Sequence, residues 1–86
     1  MTTQPLDATA LRQAVIDTLL SIAPEVEADL LQDDRPLRQQ VDLDSMDWLN
    51  FLIGLHQRLT VDIPEADYAR LVSLADVLAY LSARIR

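Results

Sequence analysis

The 86-residue sequence contains no cysteine, and this absence removes three kinds of chemistry at once. Disulfides, thiolate zinc sites and a cysteine nucleophile are all excluded, while the redox state of the compartment is left open. Glycine occurs once, and the aromatic residues are one Trp, two Tyr and one Phe. A turn-rich β-sandwich or barrel is therefore not expected.

Basic residues are also scarce, with 7 Lys and Arg against 14 Asp and Glu and a net charge of −7. Binding to nucleic acid is not expected, because it depends on basic side chains that displace counterions from phosphates. The negative field favours protein partners with basic surfaces, although the same charge would also simply keep the chain soluble.

Long apolar runs are missing as well. No stretch approaches the roughly 20 residues that span a bilayer. The N-terminal segment MTTQPLDATA lacks the basic start and apolar run of a secretory signal. We therefore expect a monomeric cytoplasmic protein without membrane insertion. Its length predicts a single domain over residues 1–86, with residues 1–6 as a flexible N-terminus.

Helical periodicity dominates the first part of the chain. Residues 7–22 are predicted as a helix that Asp7 or Thr9 caps and that ends before Pro24. Residues 25–44 lack sustained periodicity, so we expect an ordered loop with short turns. The apolar residues expected to face the core are Leu11, Val15, Leu19 and Ile22 in the helix, and Val26, Leu30, Leu37 and Val41 in the loop.

A second helix is predicted from Ser45 to about Leu59, and Gly54 inside it indicates close packing. A short helix is expected at residues 65–70. Ser73 is expected to cap a last helix, with Asp76 three residues later in an approximate capping-box arrangement. The sequence thus predicts an all-α four-helix bundle of three main helices and one short helix. The helical spacing is carried by Met46, Leu49, Leu52, Ile53, His56 and Leu59 in the second helix, and by Leu74, Val77, Leu78, Leu81 and Ile85 in the last.

Acidic residues alternate in the stretch DLDSMDWL, which begins at Asp42. Calcium loops follow the pattern D-x-[DN]-x-[DN]-G-x5-E. Here Met46 stands at the fifth position, Asp47 at the sixth and Ile53 at the twelfth, so the stretch does not match and no metal site is predicted.

Ser45 is the one candidate nucleophile at the start of a helix. A catalytic serine needs a base within hydrogen-bond reach. The single histidine, His56, lies eleven residues later in the same predicted helix, or roughly 16 Å away. No enzyme active site is therefore predicted. Ser45 is either a helix cap, beside an Asp47 that suits the helix dipole, or a residue that another enzyme modifies.

The triplet Asp44-Ser45-Met46 resembles the attachment motif of acyl carrier proteins. The resemblance extends over about residues 7–85, with Leu37 and Val41 as loop anchors. Ile63-Pro64 falls between the second and third helices of the family, and Ser73-Leu74 opens its last helix. The family's fold is a small helical bundle.

This resemblance implies a 4′-phosphopantetheine arm on Ser45, transferred from coenzyme A by a phosphopantetheinyl transferase. Asp44 would help to present the Mg²⁺ used in that transfer. The arm would hold acyl intermediates as thioesters for acyl-loading and acyl-using enzymes with basic docking surfaces. An aminoacyl or peptidyl carrier, or an unmodified interaction module, remains an alternative.

The resemblance also implies a partner-binding face around the start of the second helix. Asp42 and Asp47 would supply its acids, and Leu49 and Ile53 its apolar contacts, while Trp48 is either a partner contact or part of the core. The family's glutamate-rich positions are changed here, which implies a dedicated partner set in a specialised pathway. These positions are Asn50, His56, Gln57 and Arg58.

Overall fold

The computed structural model describes residues 8–84, and it confirms the predicted all-α fold. Three long helices form the bundle, and three short helical segments lie in the connections between them. A single isolated bridge, between Pro36 and Ser73, is the only β-type pairing within residues 8–84. The helices are α1 Ala8–Ile22, α2 Leu37–Gln40, α3 Ser45–Leu59 and α4 Leu74–Arg84, with 3₁₀ helices at Ala28–Leu30 and Glu65–Arg70.

The predicted helix boundaries hold for α3 and for the short helix at residues 65–70. Thr9 lies inside α1 and therefore does not cap it, while Asp7, residues 1–6 and Ile85 lie outside the described residues. The predicted loop contains α2 as well. Its four residues are too few to show a helical period.

One core is shared by the three long helices. The anchors Leu37 and Val41 are buried as predicted, and Val26 packs at the edge of the core. Leu30 was wrongly predicted as an anchor, because its side chain is 69% exposed and the adjacent Leu31 packs against the core instead. The long helices contribute Leu11, Val15 and Leu19, then Phe51, Leu52 and Leu55, and finally Leu74, Val77, Tyr80 and Leu81.

The apolar residues of α3 lie on two different faces. Met46, Leu49 and Ile53 are 64%, 37% and 41% exposed. Their spacing of three and four residues places them in one row along the helix, which we call the α3 stripe. Phe51 and Leu55 are fully buried on the opposite side. The helical spacing predicted from the sequence therefore combined exposed residues of the α3 stripe with residues of the buried face.

The close packing predicted at Gly54 is confirmed. A Cβ atom at this position would lie 2.8 Å from Cγ2 of Thr18 in α1. Thr18 is buried, and its hydroxyl donates a 2.8 Å hydrogen bond to the carbonyl of Ala14. Only a residue without a side chain lets α1 and α3 approach this closely.

The start of α4 has the predicted capping arrangement. The Ser73 N–H donates to Asp76 Oδ2 and the Asp76 N–H donates to Ser73 Oγ, each at 3.1 Å. These reciprocal bonds satisfy two backbone donors. The N–H of Leu37 also donates to the carbonyl of Val72 at 2.9 Å, so the long connection is fixed to the start of α4.

Tyr80 is a core residue of α4 that the sequence pattern did not identify. Its phenol donates a 2.5 Å hydrogen bond to Asp67 in the 3₁₀ helix, and the Arg84 guanidinium lies 4.2 Å from its ring centroid. Burial, together with the bond to Asp67, raises the pKa of Tyr80. The neutral phenol therefore joins the 3₁₀ helix to α4.

Candidate functional site

Ser45 is the first residue of α3 and is exposed. The prediction that Ser45 caps the helix is wrong, because Asp44 occupies the cap position. Asp44 has extended backbone angles, and its Oδ1 accepts a 2.8 Å hydrogen bond from the N–H of Asp47. The Ser45 hydroxyl has no hydrogen-bond partner among residues 8–84. It is therefore held at the surface and remains available for chemistry.

The segment before Ser45 is held in place by side chains that are alternately buried and exposed. Val41 and Leu43 are buried, while Asp42 and Asp44 between and after them are exposed. In an extended segment successive side chains point to opposite sides, so burial of the two apolar residues turns both carboxylates outward. Leu43 was not singled out from the sequence, although its place in the alternating V-D-L-D run is a signal for it.

The start of α3 is an acidic surface whose charge the helix itself stabilises. Asp42, Asp44 and Asp47 cluster where α3 begins, and the positive end of a helix dipole stabilises negative charge there. Three of the predicted acids thus lie within three residues of Ser45 along the chain, two of them exposed and Asp47 half-buried. This arrangement presents a hydroxyl nucleophile inside a negatively charged surface that suits a basic partner.

The apolar residues predicted to bind partners differ in exposure. Leu49 and Ile53 are exposed and belong to the α3 stripe, which also includes Met46. Trp48 is half-buried, and its ring centroid lies 5.2 Å from that of Phe51, so it packs at the edge of the core. Met46 was identified from the sequence as part of the motif, and its high exposure adds it to the surface beside Ser45.

His56 has a structural contact of its own. It is exposed near the end of α3, and its Nδ1 donates a 2.7 Å hydrogen bond to the carbonyl of Val61. Between them Thr60 adopts a left-handed conformation, with φ 54° and ψ 45°, that ends the helix. This bond fixes the turn after α3, at the opposite end of the helix from Ser45.

Residues 8–84 contain no group of three or more acidic or histidine side chains that could hold a metal ion. None of the helices in this part of the chain is both long and apolar enough to cross a membrane.

Two substitutions of Asp44 separate the effect of its capping hydrogen bond from the effect of its charge. Asp44→Ala should lower the free energy of unfolding by about 1 kcal/mol, since it leaves the Asp47 N–H without an acceptor. Asp44→Asn should retain most of that free energy, because its amide oxygen can accept the same bond. Chemical denaturation of the two variants measures the difference. An equal loss in both would show that the charge, and not the cap, stabilises α3.

Comparisons with known proteins agree on one family. A family model described as a phosphopantetheine attachment site matches residues 11–81. The acyl carrier protein of Campylobacter jejuni subsp. doylei is 24% identical over 71 residues, which cover 79% of this chain and 92% of that protein. The acyl carrier protein of Campylobacter hominis is 27% identical over 70 residues, which cover 81% and 82%.

The fold has a close match among solved structures. The solution structure of a proposed acyl carrier protein from Anaplasma phagocytophilum superimposes with a TM-score of 0.78. The match covers 96% of this chain and 94% of that one at 16% identity, so it supports the fold alone. The family model spans the bundle from α1 to α4, and the chain therefore belongs to the acyl carrier protein family, whose members carry a covalently attached 4′-phosphopantetheine and are not enzymes.

Proposed function

We propose that this chain is a free-standing acyl carrier whose 4′-phosphopantetheine arm is attached to Ser45 Oγ. The observation that carries the proposal is the exposed Ser45 hydroxyl, which has no hydrogen-bond partner among residues 8–84 and directly follows the capping residue Asp44. This hydroxyl fits the attachment of phosphopantetheine, since it can reach an incoming phosphate without first breaking a hydrogen bond to the protein. The arm supplies a thiol that holds an acyl group as an activated thioester.

The attachment step uses the chain's own hydroxyl as nucleophile. Ser45 Oγ attacks the phosphorus of coenzyme A that bears the pantetheine, and a new oxygen–phosphorus bond forms. The bond to the nucleotide breaks, so adenosine 3′,5′-bisphosphate leaves, and the hydroxyl proton passes to a base on the transferase. The first residue of α3 holds the oxygen outward for this attack.

Asp44 has two separate oxygens for two roles in this step. Oδ1 accepts the bond from the Asp47 N–H and fixes the carboxylate beside Ser45. Oδ2 accepts no hydrogen bond from residues 8–84, and carboxylate oxygen is a ligand that Mg²⁺ prefers. We infer that Asp44 presents the Mg²⁺ that accompanies coenzyme A in the transferase complex.

The partner-binding face that we propose surrounds Ser45. Asp42 and Asp47 attract basic side chains of the transferase and of acyl-handling enzymes. The α3 stripe provides an apolar contact on the same helix, and Trp48, which packs against Phe51 at the edge of the core, completes the proposed face. We also propose that this carrier acts as a monomer in the cytoplasm.

Intact mass measurement tests the proposal directly. The purified chain is incubated with coenzyme A, Mg²⁺ and a permissive phosphopantetheinyl transferase. We expect a mass gain of one phosphopantetheine, located by peptide mapping on the fragment that contains Ser45. A folded chain that gains nothing would instead be an unmodified helical interaction module.

We further propose that this carrier serves a specialised pathway. Asn50, Gln57 and Arg58 are exposed on α3 and replace the acids with which the family attracts basic partners. Ketosynthases of general fatty-acid elongation should therefore use its acyl form with about tenfold lower kcat/KM than a housekeeping carrier, since interfacial charge mainly sets encounter and specificity.

Restoring the acids provides the matched control. The triple variant Asn50→Glu, Gln57→Glu, Arg58→Glu leaves His56 and its bond to Val61 in place. It should recover part of the lost kcat/KM. A kcat/KM for the acyl form of the native chain equal to that for a housekeeping carrier would contradict a dedicated partner set.

A further inference from the structure

A groove lies beside the proposed attachment site, between the α1–α2 connection and the segment that precedes α3. Its volume is about 310 Å³. None of its lining residues belongs to the α3 stripe, so it is a separate surface. The lining residues are Glu25, Val26, Glu27, Leu30, Leu31, Gln40, Val41 and Asp42.

Leu30 forms the exposed apolar edge of this groove. At 69% exposure it is the most exposed of the large apolar side chains described. The 3₁₀ turn that carries it is closed by two hydrogen bonds, from the Leu30 N–H to the Glu27 carbonyl at 3.0 Å and from the Leu31 N–H to the Ala28 carbonyl at 3.2 Å. Leu30 is therefore displayed by an ordered turn.

Gln40 braces the same region. Its side-chain oxygen accepts from the Gln32 N–H at 2.7 Å, and its amide nitrogen donates to the carbonyls of Gln32 and Arg35 at 2.8 and 2.9 Å. One side chain thus joins α2 to the loop through three hydrogen bonds. The groove is formed before any partner arrives, which lowers the entropy lost on binding.

The charges around the groove lack internal partners. Glu25, Glu27 and Asp42 make no ion pair or hydrogen bond through their side chains among residues 8–84. Other acids are paired within the fold, as Asp33 is with Arg12 at 2.7 Å. No basic residue lines the groove. A partner surface that complements the groove would present an apolar side chain flanked by Lys or Arg.

We propose that the phosphopantetheinyl transferase docks on this groove, an inference that rests on the proposed function of Ser45. Asp42 lines the groove and stands three residues before Ser45. The transferase must bring its reacting centre to the Ser45 oxygen itself, so it has to cover the surface around that residue. An enzyme that acts on the far, thiol end of the arm has no such need.

Steady-state kinetics with the transferase of the same organism test the groove. Leu30→Asp removes the apolar contact and adds an acid, so KM for the carrier should rise about tenfold while kcat stays within twofold. Leu30→Ser should shift KM in the same direction by less. Val72→Asp makes the same change at an exposed apolar residue outside the groove, and its KM should match the native value.

The acids are tested by their dependence on salt. KM of the native carrier should rise with ionic strength, because salt screens exposed charge pairs. The double variant Glu25→Gln, Glu27→Gln should begin with a raised KM that changes less with salt. Circular dichroism and thermal unfolding of every variant establish that the fold is retained.

Each outcome distinguishes the groove from the proposed function. An unchanged KM in Leu30→Asp and in the double glutamine variant overturns the groove and leaves Ser45 as the attachment site. Normal loading followed by slow acyl transfer in these variants also overturns the transferase as occupant, and assigns an acyl-handling enzyme instead. A native chain that takes up no arm at any concentration refutes the proposed function itself.

Discussion

Replacing Ser45 by alanine is expected to abolish uptake of the phosphopantetheine arm and to leave the fold intact. The loss is complete because the substitution removes the only oxygen that the proposed step uses. Stability should change by less than about 0.5 kcal/mol, as for surface substitutions away from special features. Asp44 provides the cap, and the Ser45 hydroxyl has no hydrogen-bond partner within residues 8–84.

The other serines provide matched controls. Ser82 is exposed in α4, so Ser82→Ala should gain one arm as the native chain does. Ser21 donates a 2.6 Å bond to the Thr18 carbonyl, and Ser73 is buried in the cap of α4. Intact mass and chemical denaturation of Ser45→Ala and Ser82→Ala measure both effects. Uptake by Ser45→Ala would place the arm on another residue.

Gly54→Leu is expected to lower the free energy of unfolding by about 3 kcal/mol, the largest effect on stability that we predict. Overpacking a filled core typically costs 1–3 kcal/mol, whereas a better helix former at a helix glycine returns only about 1 kcal/mol. Here even a Cβ atom would lie 2.8 Å from Thr18 Cγ2. Thr18 is β-branched and its hydroxyl bonds to Ala14, so its methyl group has little freedom to rotate away.

A control and a partial rescue isolate this contact. Gln57→Leu places the same side chain on the exposed surface of α3 and should leave stability nearly unchanged. Gly54→Ala should be destabilising alone, and less so with Thr18→Ser, which removes the methyl group but keeps the hydroxyl. Chemical denaturation of the single and double variants yields their coupling. Equal losses with and without Thr18→Ser would mean that the contact is not the cause.

The long helices were predictable because their signals are local. Periodic apolar residues predicted α1, α3 and α4, and the Ser73–Asp76 pair predicted the start of α4. The attachment motif likewise identified Ser45 and its acidic neighbours. These features depend on spacing along one segment, which a sequence displays directly.

The remaining features depend on contacts between segments. Leu30 and Leu31 are identical in type, and only the turn of the chain decides that Leu31 faces the core. Tyr80 can be buried in the core because its phenol donates a hydrogen bond to Asp67, thirteen residues away. Asp44 and Ser45 are both good caps, and the backbone angles at Asp44 decide between them.

The two bonds at the ends of α3 bear on how cargo is delivered. Asp44 fixes the first turn, and His56 fixes the turn after Thr60 through Val61. The root of the arm proposed at Ser45 therefore stays still relative to the bundle, and the arm alone sets the volume that the cargo samples. For a tethered reactant this volume defines an effective concentration, which short flexible tethers bring to about the millimolar range. A docked enzyme would then meet its substrate at that concentration however dilute the carrier is in the cell.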